Sequence, residues 1–122
     1  MWQPIVSALD TLMARPEKTF PWGRMEWLAG SEMQNASTLS VARMFVLPGA
    51  ESERHRHSNC EEAILVVAGS AEFELGADSS RHLPGECTVV PAGTAHRVRN
   101  VGDAELELLL MYGAGEREYE PC

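Results

Sequence analysis

The sequence predicts an all-β fold, a sandwich or barrel of short strands, preceded by one short N-terminal helix. Three observations carry this. From about residue 20 onward, short apolar or alternating runs are separated by clusters of Gly, Pro, Asn and Asp, roughly every eight to twelve residues. No run beyond that point keeps a helical period through three turns. The 122 residues are one domain's worth, long enough to bury a core without disulfide staples.

Residues 4–14 read as the amphipathic helix. Pro4 suits a first turn, and Ile5, Leu9, Leu12 and Met13 fall at helical spacing. Strands are then expected over 24–29, 38–47, 53–57, 61–68, 70–76, 86–91, 95–100 and 104–112. Breaks at Pro48-Gly49, Gly69-Ser70, Gly76-Ala77-Asp78, Pro84-Gly85, Pro91-Ala92-Gly93 and Asn100 to Asp103 divide them. Within 70–75, Ala71, Phe73 and Leu75 alternate with Ser70, Glu72 and Glu74, so one face of that strand is wet. The run AILVVA over 63–68 is apolar on both faces. It calls for cover on both sides: the interior on one, and on the other the N-terminal helix, a second sheet or another subunit. A homodimer is the expectation.

Composition narrows the function. Hydrophobic residues make up 44% and charged residues 23%, as in ordinary globular proteins. Ten Lys+Arg against eighteen Asp+Glu give a net charge of −8, and the basic residues do not cluster. Nucleic acid and anionic membranes would repel such a surface. No apolar run is long enough to span a bilayer, and the first residues lack the basic start of a secretion signal, so a cytoplasmic protein is expected. Cys60, Cys87 and Cys122 are odd in number and match no zinc or redox spacing, which suits reduced thiols.

His55 and His57 are two apart, so on a strand both imidazoles point to one face. Glu61 and Glu62 follow at once, and His96 begins a later strand after a Gly turn. Three imidazoles and one carboxylate suit Fe²⁺, Mn²⁺, Ni²⁺, Cu²⁺ or Zn²⁺. Gly49, His55, His57, Glu62 and Gly69 form the pattern G-x5-H-x-H-x4-E-x6-G, and Gly85, Pro91, Gly93, His96 and Asn100 form G-x5-P-x-G-x2-H-x3-N. In order and spacing these resemble the two motifs of the cupin superfamily, and both are complete.

The resemblance implies a double-stranded β-helix, or jelly-roll barrel, of six to eight strands with a metal inside one end. The barrel would span 38–112. Residues 1–37 would form a helix and a leading strand packed on it, and 113–122 a C-terminal tail. His55, His57, Glu62 and His96 carry over as ligands of one divalent transition ion. Glu61 competes with Glu62, because the family permits either spacing. The six residues before Gly69 select Glu62, and Glu61 then faces away. Gly49, Gly69 and Gly85 are turn positions suited to positive φ. Pro91 with Gly93 redirects the chain so that His96 points inward, and Asn100 is a turn residue or a supporting one.

Other residues receive plainer readings. His82 is a solvated loop residue before Pro84. Cys60 is a small apolar filler at a strand start, or else a thiol near the ligands. Trp22, Trp27, Phe45, Phe73, Tyr112 and Tyr119 are core before they are pocket. Arg43, Arg97 and Arg99 could clamp a substrate carboxylate, although strand parity turns Arg97 and Arg99 outward.

Four protein ligands leave two positions open on a six-coordinate ion, for water, dioxygen or a chelating oxygen substrate. The resemblance thus implies a metal-dependent enzyme of small molecules, foremost a dioxygenase-like oxidoreductase. A non-redox isomerase, cyclase or lyase with Glu62 as catalytic base stands close behind. A small-ligand-binding cupin without turnover is the third reading.

Overall fold

A computed structural model describes residues 17–122. The helix expected over 4–14 lies outside the described residues. Eleven strands follow among them: β1 (Glu17–Phe20), β2 (Gly23–Ala29), β3 (Ser40–Val46), β4 (His55–Arg56), β5 (Glu62–Ala68), β6 (Ala71–Leu75), β7 (Asp78–His82), β8 (Cys87–Val90), β9 (His96–Asn100), β10 (Leu106–Tyr112) and β11 (Glu120–Pro121). They form two antiparallel sheets. One runs β1-β2-β3-β10-β5-β8 and the other β11-β4-β9-β6-β7.

The core lies between the sheets, and strand alternation builds it. Leu106, Leu108, Leu110 and Tyr112 of β10 are buried, while Glu107, Leu109 and Met111 between them are half-buried on the outer face. Met25, Met44, Ile64 and Val66 from the same sheet meet Phe73 and Val98 from the other. On β6, Ala71 and Phe73 are buried and Glu72 and Glu74 only half so, in keeping with one wet face.

The doubly apolar run is β5. Glu62, Ile64 and Val66 point in. On the other face Val67 is 44% exposed, and Val89 of the neighbouring β8 is 57% exposed. The described residues leave that face open to solvent.

Three strands go beyond the expected runs: β1, β7 and β11. They raise the count above the six to eight that the resemblance implies. Each lies at a sheet edge and is mostly or wholly exposed. An edge strand is held by backbone pairing alone and buries no alternating side chains, so its sequence carries no period-two signal. His82 is accordingly a strand residue and not a loop residue. It closes β7 opposite Ala71, with its ring 4.9 Å from that of Phe73.

Two connections matter for the site. Between β5 and β6 the chain turns at Gly69, whose φ is 98°. A Cβ there would meet the backbone of Leu106 at 3.1 Å, so glycine is required by both conformation and space. Between β9 and β10 the buried Asn100 ties the turn. Its Nδ2 donates to the carbonyls of Val46 at 2.9 Å and Ala104 at 2.8 Å, and its Oδ1 accepts from the Gly102 amide. Asn100 therefore fixes the end of the strand that begins with His96. Among the described residues no helix is long and apolar enough to cross a membrane.

Gly49 also has positive φ, but open space lies around its missing Cβ. Gly49→Ala should cost about 1–2 kcal/mol of stability through the backbone alone. Gly69→Ala should exceed that by about 1 kcal/mol or more, because the methyl also displaces β10. Urea unfolding of both variants measures the difference, and equal losses would show that the contact with Leu106 does not matter.

Candidate metal centre

Both sheets contribute to one cluster. In the five-stranded sheet, β4 and β9 pair so that His55 lies directly opposite His96. His57 follows two residues on, just past the end of β4, and its imidazole joins theirs. Ring centroids are 4.3 Å apart for His55 and His96, 4.8 Å for His55 and His57, and 5.2 Å for His57 and His96. Glu62 opens β5 in the facing sheet and reaches across the interior. Its Oε1 lies 2.9 Å from His96 Nε2 and 3.2 Å from His57 Nε2. One possible ligand atom from each of the four residues lies within 4.8 Å of all the others. Glu61 is exposed on the outer side.

The backbone aims the rings. His55 Nδ1 donates to the Glu53 carbonyl at 2.7 Å, His57 Nδ1 to the Glu118 carbonyl at 2.7 Å, and His96 Nδ1 to the Thr94 carbonyl at 2.9 Å. A carbonyl can only accept, so each of these nitrogens carries the proton. In a neutral ring Nε2 is then the lone-pair nitrogen, and all three Nε2 atoms face the interior; in the ion-free site a second proton on His96 Nε2 makes its hydrogen bond to Glu62. Carbonyl-anchored imidazoles of this kind are oriented as metal ligands are.

Electrostatics point the same way. Burial alone would raise the Glu62 pKa, but the adjacent imidazoles of His57 and His96 outweigh it and hold the carboxyl down at about 2. Burial lowers His55 to about 4, helped by the neighbouring imidazoles, so its ring stays neutral. Burial would lower His96 too, yet the hydrogen bond and charge of Glu62 raise it. His57 Nε2 is buried and lies close to Glu62, but outside hydrogen-bonding geometry, which leaves it unpartnered. An orphaned buried lone pair facing an ionised carboxylate and two further imidazoles fits a divalent cation well. The cluster could hold a metal.

The cluster forms part of the wall of a cavity of about 400 Å³. Met25, Met44, Ile64, Val98, Leu108 and Leu110 supply apolar lining from both sheets. Trp22, Tyr112 and Tyr119 also face it; Tyr112 is at the same time part of the core, as Trp27 and Phe73 are, and Trp22 packs against that core. Phe45 lies under the guanidinium groups of Arg24 and Arg43. Tyr119 stacks on His55 at 4.6 Å and donates its hydroxyl to Glu53 at 3.1 Å.

None of the three arginines considered as substrate clamps is free for that task. Arg43 pairs with Glu107, Arg97 with Glu51 and Glu74, and Arg99 with Glu51. Cys60 is buried, and burial pushes its thiol pKa up, which suits an inert filler.

Sequence reasoning passed over 113–122 as a tail. That segment closes the site: Glu118 anchors His57, Tyr119 stacks on His55, Arg117 enters the cavity wall, and β11 pairs with β4. Tyr119 and the nearby charges were the only signals there, and neither has a periodicity to read.

The cupin domain family matches residues 42–112. The xanthan biosynthesis protein XanB of Xanthomonas campestris is 32% identical over 89 residues, 73% of this chain but 18% of its own length. Auxin-binding protein 1 of Arabidopsis thaliana is 31% identical over 94 residues, 69% of this chain and 46% of its own. The chain therefore spans less than half the length of either relative. Among solved structures, oxalate decarboxylase from Bacillus subtilis superposes with a TM-score of 0.82 at 23% identity, covering 90% of this chain and 30% of the other. At that identity the likeness concerns the fold.

If the cluster binds a metal as its geometry allows, His57→Ala and His96→Ala should each weaken binding at least about 100-fold and remove the rise in melting temperature that added metal produces. Glu62→Gln should weaken it far more than Glu61→Gln, because only Glu62 points inward. Metal titration followed by thermal unfolding checks this set. Equal losses at Glu61 and Glu62 would displace the carboxylate from the cluster.

Proposed function

The chain belongs to the cupin family, and on that premise we propose that it is a metal-dependent enzyme of small organic molecules, a dioxygenase-like oxidoreductase in its leading form. One observation carries the reading: three imidazole lone pairs and one ionised carboxylate converge at the wall of an apolar cavity. His55, His57, Glu62 and His96 are the proposed ligands, and one Fe, Mn, Zn or Ni ion the proposed cofactor. When bound, iron would supply redox chemistry toward dioxygen, whereas zinc, manganese or nickel would supply Lewis acidity.

The protein's own part follows from its residues. The apolar walls exclude water and receive a substrate of modest size. Backbone carbonyls hold the three rings, so the site needs little reorganisation to take up its ion. Glu62, held low by its imidazole neighbours, is a good anionic ligand, and in the non-redox reading it also serves as the base.

A non-redox isomerase, cyclase or lyase remains the second reading, and Tyr119 favours it. Burial and the Glu53 carboxylate push its hydroxyl up to about 12, so it keeps its proton beside the cavity. With that proton held by Glu53, the phenol oxygen can accept a hydrogen bond from a substrate hydroxyl and orient it.

Elemental analysis of protein purified without added metal or a nickel column decides between them. The leading form expects near-stoichiometric iron, with oxygen uptake on enolic, phenolic or thiol substrates that His57→Ala abolishes. Near-stoichiometric zinc, manganese or nickel without oxygen uptake would replace it with the second reading. A folded protein that refuses every ion would leave only a ligand-binding module.

A further inference from the structure

Of the three cations that line the cavity, Arg117 is the one without a carboxylate partner among the described residues. Arg117 lies in the strand-poor segment after β10, and its guanidinium carbon sits 5.0, 5.2 and 5.4 Å from the ring centroids of Trp27, Tyr112 and Tyr119. Its Nε is buried and has no hydrogen-bond partner. The two other cations that line the cavity are already paired, Lys18 with Glu32, and Arg97 with Glu51 and Glu74. Among the described residues Arg117 has no carboxylate within ion-pairing distance. In a chain of net charge −8 with eighteen acidic residues, a guanidinium left without one is conspicuous.

Aromatic faces attract a guanidinium, but they offer no acceptor to its buried Nε. A buried donor without an acceptor destabilises the fold. The residue also stands at the right place to matter. Tyr112 lies between Arg117 and His57, 5.2 Å from each, and its hydroxyl feels the charges of both Glu62 and Arg117. Cation and metal cluster are thus separated by one aromatic ring along the same cavity wall.

We propose that Arg117 is the anion-recognition residue of this cavity, and that the substrate is an organic monocarboxylate with an apolar or aromatic body. The reading rests on the proposed metal site, toward which a second oxygen of the same molecule would point. A single planar fork matches one carboxylate in a bidentate pair. The walls of Met25, Met44, Ile64 and Leu108 suit the body, and about 400 Å³ lies toward the small end of ligand cavities. Arg117 is a binding and specificity residue here, and the three rings around it fix the direction of its fork.

Calorimetric titration with benzoate, mandelate and phenylpyruvate, each beside its neutral amide, tests the assignment. Both metal-free protein and protein loaded with redox-inert zinc are titrated. In the wild type the acids should bind about tenfold or more tightly than the amides. Arg117→Gln should bring that ratio close to one with metal content unchanged. Arg117→Lys should restore part of it, since it keeps the charge and loses the fork. Should the Gln variant fail to fold, the Lys variant alone must still show a reduced ratio. Equal binding of acids and amides, no binding by any of the acids, or a ratio that survives Arg117→Gln would overturn the proposal. The ratio in metal-free protein reports on Arg117 by itself, and the gain on zinc loading reports on the cluster. Loss of that gain with the ratio intact would therefore count against the metal reading and not against this one.

Discussion

An ionised carboxylate buried between two sheets is the constraint on which the rest of the site depends. Glu62 is only 3% exposed, and a lone carboxylate at that depth would cost several kcal/mol. Its nearest ion-pairing neighbours come from the opposite sheet and its edge: the imidazoles of His57 and His96. Those rings can answer the charge only if their Nε2 atoms face it, and the carbonyls of Glu118 and Thr94 see to that. Closing the sandwich and assembling the cluster are therefore one event. A cation in the middle completes the charge balance that the protein begins.

The carbonyl at Glu118 shows how far the constraint reaches. It belongs to a segment with almost no regular structure, held by the short pairing of β11 with β4 and by the double contact of Arg56 with Glu120. That ion pair is exposed and contributes little by itself. The segment is held in addition by Asn59, whose amide group donates to the Glu116 carbonyl and accepts from the Glu118 amide. The loop between β4 and β5 and the end of the chain thus position each other, and His57 is fixed between them.

Charges on the outside of the five-stranded sheet form a separate system. Arg54, Arg97 and Arg99 are shared among Glu51 and Glu74, which lie on the solvent side of β9, β6 and their neighbours. Such pairs mainly occupy one another. Their consequence for function is subtractive: they consume the arginines nearest the ligand histidines, and Arg117 is left as the cation without an anion in the cavity.

The linear sequence by itself determined the layered all-β architecture and the facing of β6, and its match to the two cupin motifs picked out the four clustered residues. The first two are short-range properties. Period-two alternation reports which face is buried, and a His-x-His pair on a strand shares a face whatever surrounds it. The choice of Glu62 over Glu61 came from the motif's spacing to Gly69, and one residue's step along the strand then turns Glu61 away. Only the tertiary structure decided the rest. The edge strands β1, β7 and β11 exist through backbone pairing that leaves no pattern in side chains. The carbonyl anchors of the rings are main-chain groups that every residue possesses equally. Tyr119 stacks on His55 and the Glu118 carbonyl anchors His57 across some sixty residues of chain. Contacts of that separation are set by how two sheets close on each other, and no local period records them.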